Sequence, residues 1–142
     1  MRVLGVEPTG AAKVGNKAGI PTLEQFFDRK TVQHIQKKHG KASVITATNV
    51  FAHINNVPAL IANIKALMDA DSVFVSESQY LGDIIVKKEF DTIYHEHLRF
   101  YALGSLMRLF ELAGMTVTDA ERIASSGGSV RVYAMRGARK QS

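Results

Sequence analysis

Short runs of β-branched residues alternate in this chain with segments whose apolar residues recur at helical spacing, and this alternation restricts the fold more than any other feature. It predicts strands at residues 2–6, 43–49, 72–77, 115–123 and 130–135, and helices at 31–39, 58–70 and 103–113. Thr22 is predicted to cap a further short helix that reaches Phe27. Because no helix separates the last two strands, they are expected to form an antiparallel pair at one edge of an α/β layered sheet.

The length and composition fit one domain of ordinary globular type. The chain has 142 residues, and no apolar run in it approaches the roughly 20 residues of a membrane-spanning helix. The absence of cysteine excludes disulfides and thiolate metal sites. The net charge is +5, yet the basic residues are not interleaved with aromatic ones as on nucleic-acid surfaces. We therefore expect a cytoplasmic protein with no nucleic-acid partner and no membrane partner.

Polar residues follow two of the predicted strands, at the edge where open α/β sheets bind ligands. Glu7 ends the first strand, and a carboxylate there can accept two hydrogen bonds from a ribose diol. Asn49 ends the next strand, and His53 follows in the loop. The alternatives are a solvent-facing strand end for Glu7 and a structural or surface histidine for His53.

The segment Tyr94-His95-Glu96-His97 joins four polar side chains that are costly to bury. On a helix Tyr94 and His97 share a face, whereas on a strand His95 and His97 do. No further carboxylate or histidine stands at a metal-site spacing, so no metal is expected. Acid–base chemistry suits the segment because imidazole titrates near neutral pH. A structural polar cluster is the alternative.

The paired glycines of Gly127-Gly128-Ser129-Val130-Arg131 precede the last strand and allow a tight turn or a close backbone approach. Arg131 could bind a phosphate through its guanidinium fork. A plain hairpin turn is the alternative for this segment.

Four segments together resemble the sugar-nucleotide C-methyltransferase family, whose members depend on S-adenosylmethionine. In chain order the matching segments are residues 5–8, 49–54, 90–98 and 127–133. Their order and spacing fit the family over nearly the whole chain, and the segment that contains Tyr94 to His97 is the specific one. The resemblance implies a Rossmann-like methyltransferase sheet and a keto-deoxysugar nucleotide as substrate.

The resemblance also implies a reaction and a role for each site residue. A base removes the proton alpha to the ketone, and the enolate then attacks the methyl carbon of S-adenosylmethionine. The implied catalytic residues are His97 as the base, Tyr94 as a hydrogen-bond partner of the sugar, and His53 and Glu96 as the groups that complete and orient the pocket. The implied binding residues are Glu7 and Pro8 at the cofactor ribose, Asn49 near its methionine part, and His95 and Arg131 at the substrate.

Three pieces of the family pattern do not occur in this sequence: a cysteine-rich zinc module, a first strand with its glycine-rich loop, and a C-terminal domain. Residues 1–142 are therefore expected to be a partial catalytic domain, truncated at its N-terminus and running from the second strand to the last. We expect it to bind S-adenosylmethionine weakly on its own and to require the missing segments or a complementary chain. Ser126 also replaces a histidine that members often carry before the paired glycines. The alternative is a non-catalytic binding or assembly fragment of a split or truncated methyltransferase.

Overall fold

The computed structural model describes residues 1–137, which form two compact units that divide after Lys41. Each unit contains parallel strands joined through a helix, and the second unit adds antiparallel strands. The α/β fold class predicted from the sequence is confirmed. Among residues 1–137, no helix is both long and apolar enough to cross a membrane.

The first unit is a small βαβ element followed by a helix. Its elements are β1 (Gly5–Val6), α1 (Ala11–Lys17), β2 (Thr22–Leu23) and α2 (Arg29–His39). The two strands run parallel and pair Gly5 with Thr22. Helix α2 is capped at its start by Asp28, whose side chain accepts a 2.8 Å hydrogen bond from the Thr31 N–H, and at its end by Gly40 with φ 82°.

The short helix predicted after Thr22 is wrong, because Thr22 lies in a strand. Asn16 holds the backbone of Thr22 extended: its side-chain oxygen accepts from the Thr22 N–H at 2.9 Å, and its amide nitrogen donates to the Thr22 carbonyl at 2.9 Å. A side chain on α1 thus supplies the partners that helical bonds would otherwise supply. Helix α1 itself was not predicted.

The second unit, which begins at Ala42, is built on a sheet of four strands in the order β3-β4-β6-β5. The strands are β3 (Ala42–Thr48), β4 (Met68–Gln79), β5 (Met115–Ile123) and β6 (Ser129–Arg136). Strands β3 and β4 are parallel, while β6 is antiparallel to both β4 and β5. The predicted antiparallel pair at one edge of the sheet is confirmed. At the other edge, β3 pairs with β4 alone among the described strands.

Three helices and a cluster of aromatic rings complete this unit. The helices are α3 (Val57–Leu67), α4 (Leu81–Lys87) and α5 (Leu103–Leu112). The rings of Phe51, Phe74 and Phe110 are fully buried, with centroids 5.8–6.0 Å apart. They come from a 3-10 turn, a strand and a helix respectively, so one apolar cluster holds these three elements together.

Helix α3 is shorter than predicted, since it ends at Leu67 and β4 begins at once with Met68. Met68 pairs with Ala42 of β3, and the Ser72 hydroxyl donates to the Ala42 carbonyl at 2.7 Å. These strand contacts prevail over the apolar spacing that favoured a helix as far as residue 70.

Candidate active site

A cavity of about 170 Å³ lies at the carboxyl ends of the parallel strands β3 and β4. Both the strand ends and the long segment before α5 contribute to its wall. The lining residues are Asn49, Ala52, His53, Ser78, Gln79, Tyr94, His97, Arg99, Phe100, Tyr101 and Ser126. The cavity therefore brings together four residues predicted from the sequence: Asn49, His53, Tyr94 and His97.

A tight turn brings Tyr94 and His97 together. The His97 N–H donates to the Tyr94 carbonyl at 3.0 Å, and the Tyr94 hydroxyl lies 2.8 Å from Nε2 of His97. The two ring centroids are 4.2 Å apart. The segment is thus neither of the regular structures considered from its sequence, yet the turn creates the same i, i+3 pairing that a helix would give.

His53 is fixed beside His97 by the backbone of the same turn. Its Nδ1 lies 3.0 Å from the carbonyl oxygen of Glu96, and the two histidine ring centroids are 4.8 Å apart. Because a carbonyl can accept but cannot donate, Nδ1 of His53 carries a proton in this contact. The Leu98 N–H also donates to the Ala52 carbonyl at 2.9 Å, which ties the two segments together a second time.

His97 is partly buried and enclosed on several sides. The ring of Phe100 meets it edge-on with centroids 5.5 Å apart, while Tyr94 and His53 lie against it. Its Nδ1 is buried and has no hydrogen-bond partner among the described residues. Tyr94 therefore occupies one nitrogen of the ring and leaves the other unoccupied.

Asn49 lines the cavity in a left-handed backbone conformation, with φ 54°. Its N–H donates to the Glu77 carbonyl at 2.9 Å, which prolongs the pairing of β3 with β4 by one residue. Asparagine tolerates this conformation better than most residues, so the turn directly after β3 is well matched to its sequence.

Glu7 and Pro8 follow β1 in the first unit. The Glu7 carboxylate accepts a 2.8 Å hydrogen bond from the Thr9 N–H, and hydrogen bonds from Thr9 hold the pKa of this carboxyl below its usual value. The carboxylate is consequently ionised at neutral pH and acts as an acceptor. That is the property its predicted role at a ribose diol requires.

The remaining predicted residues do not line the cavity. His95 and Glu96 occupy the two corners of the turn and are exposed, and Glu96 contributes its backbone carbonyl through the contact with His53. Arg131 lies on β6 between its cross-strand neighbours Glu77 and Glu121, at 3.0 and 3.1 Å. These carboxylates, together with Tyr133, raise the pKa of Arg131, so two anionic partners already neutralise its guanidinium.

Sequence reasoning missed Ser78, Gln79, Arg99 and Tyr101 in the cavity wall. Ser78 and Gln79 directly follow the predicted strand at 72–77, so the rule that singled out Glu7 and Asn49 would also have found them. Tyr101 bears no such signal, since its place depends on an isolated bridge to Tyr80. Within residues 1–137, no three histidine or acidic side chains are grouped as a metal site requires.

Comparison with known proteins adds to this geometry. The methyltransferase domain family matches residues 2–120. The C-methyltransferase NovU of Streptomyces niveus is 36% identical over 134 residues, which are 94% of this chain and 32% of NovU. The chain thus spans about a third of the length of this curated relative.

Solved structures share the fold at low sequence identity. Magnesium protoporphyrin IX methyltransferase (ChlM) from Synechocystis PCC 6803, solved with bound SAH, is 14% identical with a TM-score of 0.64, over 95% of this chain and 64% of its own. A SAM-dependent methyltransferase from Anabaena variabilis is 14% identical with a TM-score of 0.69, over 95% of this chain and 68% of its own. The Rossmann-like methyltransferase sheet predicted from the sequence is confirmed by these likenesses.

Proposed function

This chain belongs to the S-adenosylmethionine-dependent methyltransferase family, and we propose that its cavity is part of the active site of a C-methyltransferase acting on a keto-deoxysugar nucleotide. The proposed reaction moves a methyl group to the carbon alpha to the ketone. The observation that carries this proposal is the cluster of Tyr94, His97 and His53, whose rings are in contact within one cavity. The similarity to NovU supports transfer to carbon.

Methyl transfer to carbon requires a carbanion-like nucleophile, and a keto sugar provides one when the proton beside its ketone is removed. S-adenosylmethionine, when bound, supplies an electrophilic methyl carbon and leaves as S-adenosylhomocysteine. The protein must therefore hold a base near the alpha carbon and donors near the ketone oxygen. A positioned general base typically contributes about 10²–10⁴-fold to the rate.

His97 is the proposed base, and its contacts indicate which nitrogen acts. In the tautomer with a proton on Nε2, this nitrogen donates to the Tyr94 oxygen at 2.8 Å. Nδ1 then has a free lone pair, and it is the buried nitrogen without a partner among the described residues. We therefore assign proton removal to Nδ1 of His97, with Tyr94 orienting the ring.

Stabilisation of the enolate oxygen is assigned to groups beside His97. When Nε2–H of His97 donates to the Tyr94 oxygen, the hydroxyl proton of Tyr94 is not used in that contact. Tyr94 can then donate this proton to the enolate oxygen. The imidazole of His53 also lies beside His97, with ring centroids 4.8 Å apart. A donor at a developing oxyanion acts most strongly where it is already oriented, and both rings are fixed by hydrogen bonds to the 94–97 turn.

The residues proposed to hold S-adenosylmethionine have matching chemistry. Glu7 presents an ionised carboxylate after β1, as a ribose diol requires. Asn49 presents a side-chain amide after β3 and lines the cavity, so it suits the polar methionine part of the cofactor. Pro8 accompanies Glu7 in this assignment. His95 and Arg131 remain proposed substrate contacts, although Arg131 would first have to exchange one of its carboxylate partners.

The proposal is tested by incubating the protein with a keto-deoxysugar nucleotide and S-adenosylmethionine carrying a ¹³C-labelled methyl group. Carbon NMR of the sugar should show a new methyl bonded to carbon and located next to the ketone. A label found on oxygen or nitrogen of the sugar would contradict it. The Tyr133→Phe variant, whose hydroxyl bonds Glu121 outside the cavity, is the matched control.

A second candidate is a non-catalytic binding or assembly fragment, and the open edge of β3 favours it. This edge strand carries Val44, which is 57% exposed, and its outer side pairs with no other described strand. Exposed strand edges readily accept a strand from another chain. Light scattering, together with the methyl-transfer assay, decides between the two candidates. Stable complexes without methyl transfer support the non-catalytic assembly fragment, and an active monomer contradicts it.

A further inference from the structure

The inner wall of the cavity carries polar atoms that the site chemistry assigned above does not use. The hydroxyls of Ser78 and Tyr101 and the side-chain oxygen of Gln79 are buried and have no hydrogen-bond partner among the described residues. Ser78 is 2% exposed and Tyr101 is 6% exposed. Buried polar groups in proteins are nearly always satisfied, and these three belong to residues that line one cavity, so they mark a place for a polar partner.

The backbone that carries these side chains is fixed by its hydrogen bonds. Ser78 and Gln79 are paired with Val130 and Ser129 of β6. The carbonyl of Tyr101 accepts from the Leu81 N–H at 2.8 Å, and its ring lies edge-on to Phe51 with centroids 6.3 Å apart. The wall is therefore formed before any ligand binds.

The hydrogen-bonding capacity of the wall is both accepting and donating. The amide nitrogen of Gln79 donates to the Ser126 carbonyl at 3.1 Å, which leaves its buried oxygen as an acceptor in a residue that lines the cavity. Burial raises the pKa of the Tyr101 hydroxyl more than nearby Arg99 lowers it, so this group stays protonated and can donate. The Ser78 hydroxyl can do either.

An alcohol complements this set better than other groups of a sugar nucleotide. A hydroxyl can donate to Gln79 and accept from Tyr101 or Ser78 at the same time. A ketone or phosphate oxygen can accept from the two hydroxyls, yet it leaves the Gln79 oxygen without a donor. The wall is thus matched to a group that both donates and accepts.

We propose that Ser78, Gln79 and Tyr101 form a subsite for one hydroxyl of the sugar ring, and that this subsite sets which sugars are accepted. The inference rests on the proposed function for the class of substrate. It adds a specificity determinant at the end of β4 and at Tyr101, in the cavity that His97 also lines.

The test is calorimetric or NMR-detected binding of thymidine- and uridine-diphosphate sugars that each lack one ring hydroxyl. The native chain should bind one deoxy sugar about tenfold or more weakly than its parent, since a neutral hydrogen bond is worth about that factor. In Tyr101→Phe and Ser78→Ala this discrimination should largely disappear, because the parent binds more weakly while that deoxy sugar binds as before. Tyr133→Phe should retain full discrimination.

Each outcome separates the inference from the proposed function. Binding of the sugars without discrimination, or discrimination that survives in both variants, overturns the hydroxyl subsite and leaves the sugar-nucleotide proposal standing. Absence of binding by all of the sugars contradicts the sugar-nucleotide proposal and removes the subsite with it. Circular dichroism of Tyr101→Phe and Ser78→Ala verifies that both variants fold as the native chain does.

Discussion

The hydroxyl of Tyr94 lies 2.8 Å from Nε2 of His97, across a turn in which the His97 N–H donates to the Tyr94 carbonyl. This side-chain contact occupies one imidazole nitrogen and leaves Nδ1 without a partner among the described residues. The pair therefore fixes the orientation of the ring. With Nε2–H as the donor to the Tyr94 oxygen, Nδ1 is the nitrogen that can accept a proton.

Replacing Tyr94 by phenylalanine should release His97 from its preferred orientation. Methyl transfer by Tyr94→Phe is expected to fall about tenfold or more, because the variant loses a hydrogen bond to the base and a donor near the enolate. Nitrogen NMR of labelled histidine should show a changed tautomer ratio for His97. An unchanged ratio would show that Tyr94 does not set the tautomer, and the same measurement on Tyr133→Phe is the control.

The aromatic cluster behind the cavity should dominate the stability of the second unit. Phe110→Ala is expected to lower the free energy of unfolding by about 3–5 kcal/mol, since it leaves a void against Phe51 and Phe74. Phe90 is 79% exposed, and Phe90→Ala should change stability by at most about 0.5 kcal/mol. Urea denaturation of both variants checks this, and equal losses would contradict the assigned core.

Gly128 lies against the Asp83 carboxylate at a backbone φ of 136°, and an added methyl group there would overlap that carboxylate. Gly128→Ala should therefore destabilise the unit by about 1–3 kcal/mol and disturb the ion pair of Asp83 with Arg122. Gly104 in α5 has open space at the same position, so Gly104→Ala should be neutral or stabilising. Thermal unfolding that ranks the two variants equally would contradict this packing.

Burial of Tyr101 predicts a specific loss of stability in alkali. Its pKa is raised in the folded chain, so above about pH 10, where unfolded tyrosine ionises, the unfolded state holds fewer protons than the native state. Stability should thus be complete below that pH and fall as the pH rises through the folded pKa. Tyr101→Phe should lose less stability than the native chain between pH 9 and pH 11 in denaturant titrations. Parallel losses would contradict the burial of this hydroxyl.

The sequence predicted most elements of the second unit because their signals are local. The strand at 43–49 and the two terminal strands have β-branched runs, and α5 has an apolar face. The first unit was harder, because the side chain of Asn16 on α1 determines that Thr22 is extended. Such contacts between side chain and backbone across several residues leave no periodic pattern to detect.

The sequence predicted those site residues that belong to recognisable short segments. Tyr94, His97, His53 and Asn49 were named from the sequence and share one cavity. Their mutual arrangement could not be predicted, since a turn and a contact with the Glu96 carbonyl create it. Tyr101 escaped notice because its position is set by its bridge to Tyr80, a partner 21 residues earlier in the sequence.

The role of His97 is tested most directly by the exchange of the sugar proton beside the ketone for deuterium from D₂O. Proton NMR follows this exchange in the presence and in the absence of S-adenosylmethionine. Native protein and Tyr133→Phe should both catalyse loss of that proton signal, while His97→Asn should do so about 10²–10⁴-fold more slowly. Binding of S-adenosylmethionine should be the same in all three. Exchange by His97→Asn at the native rate would contradict the assignment of His97 as the base.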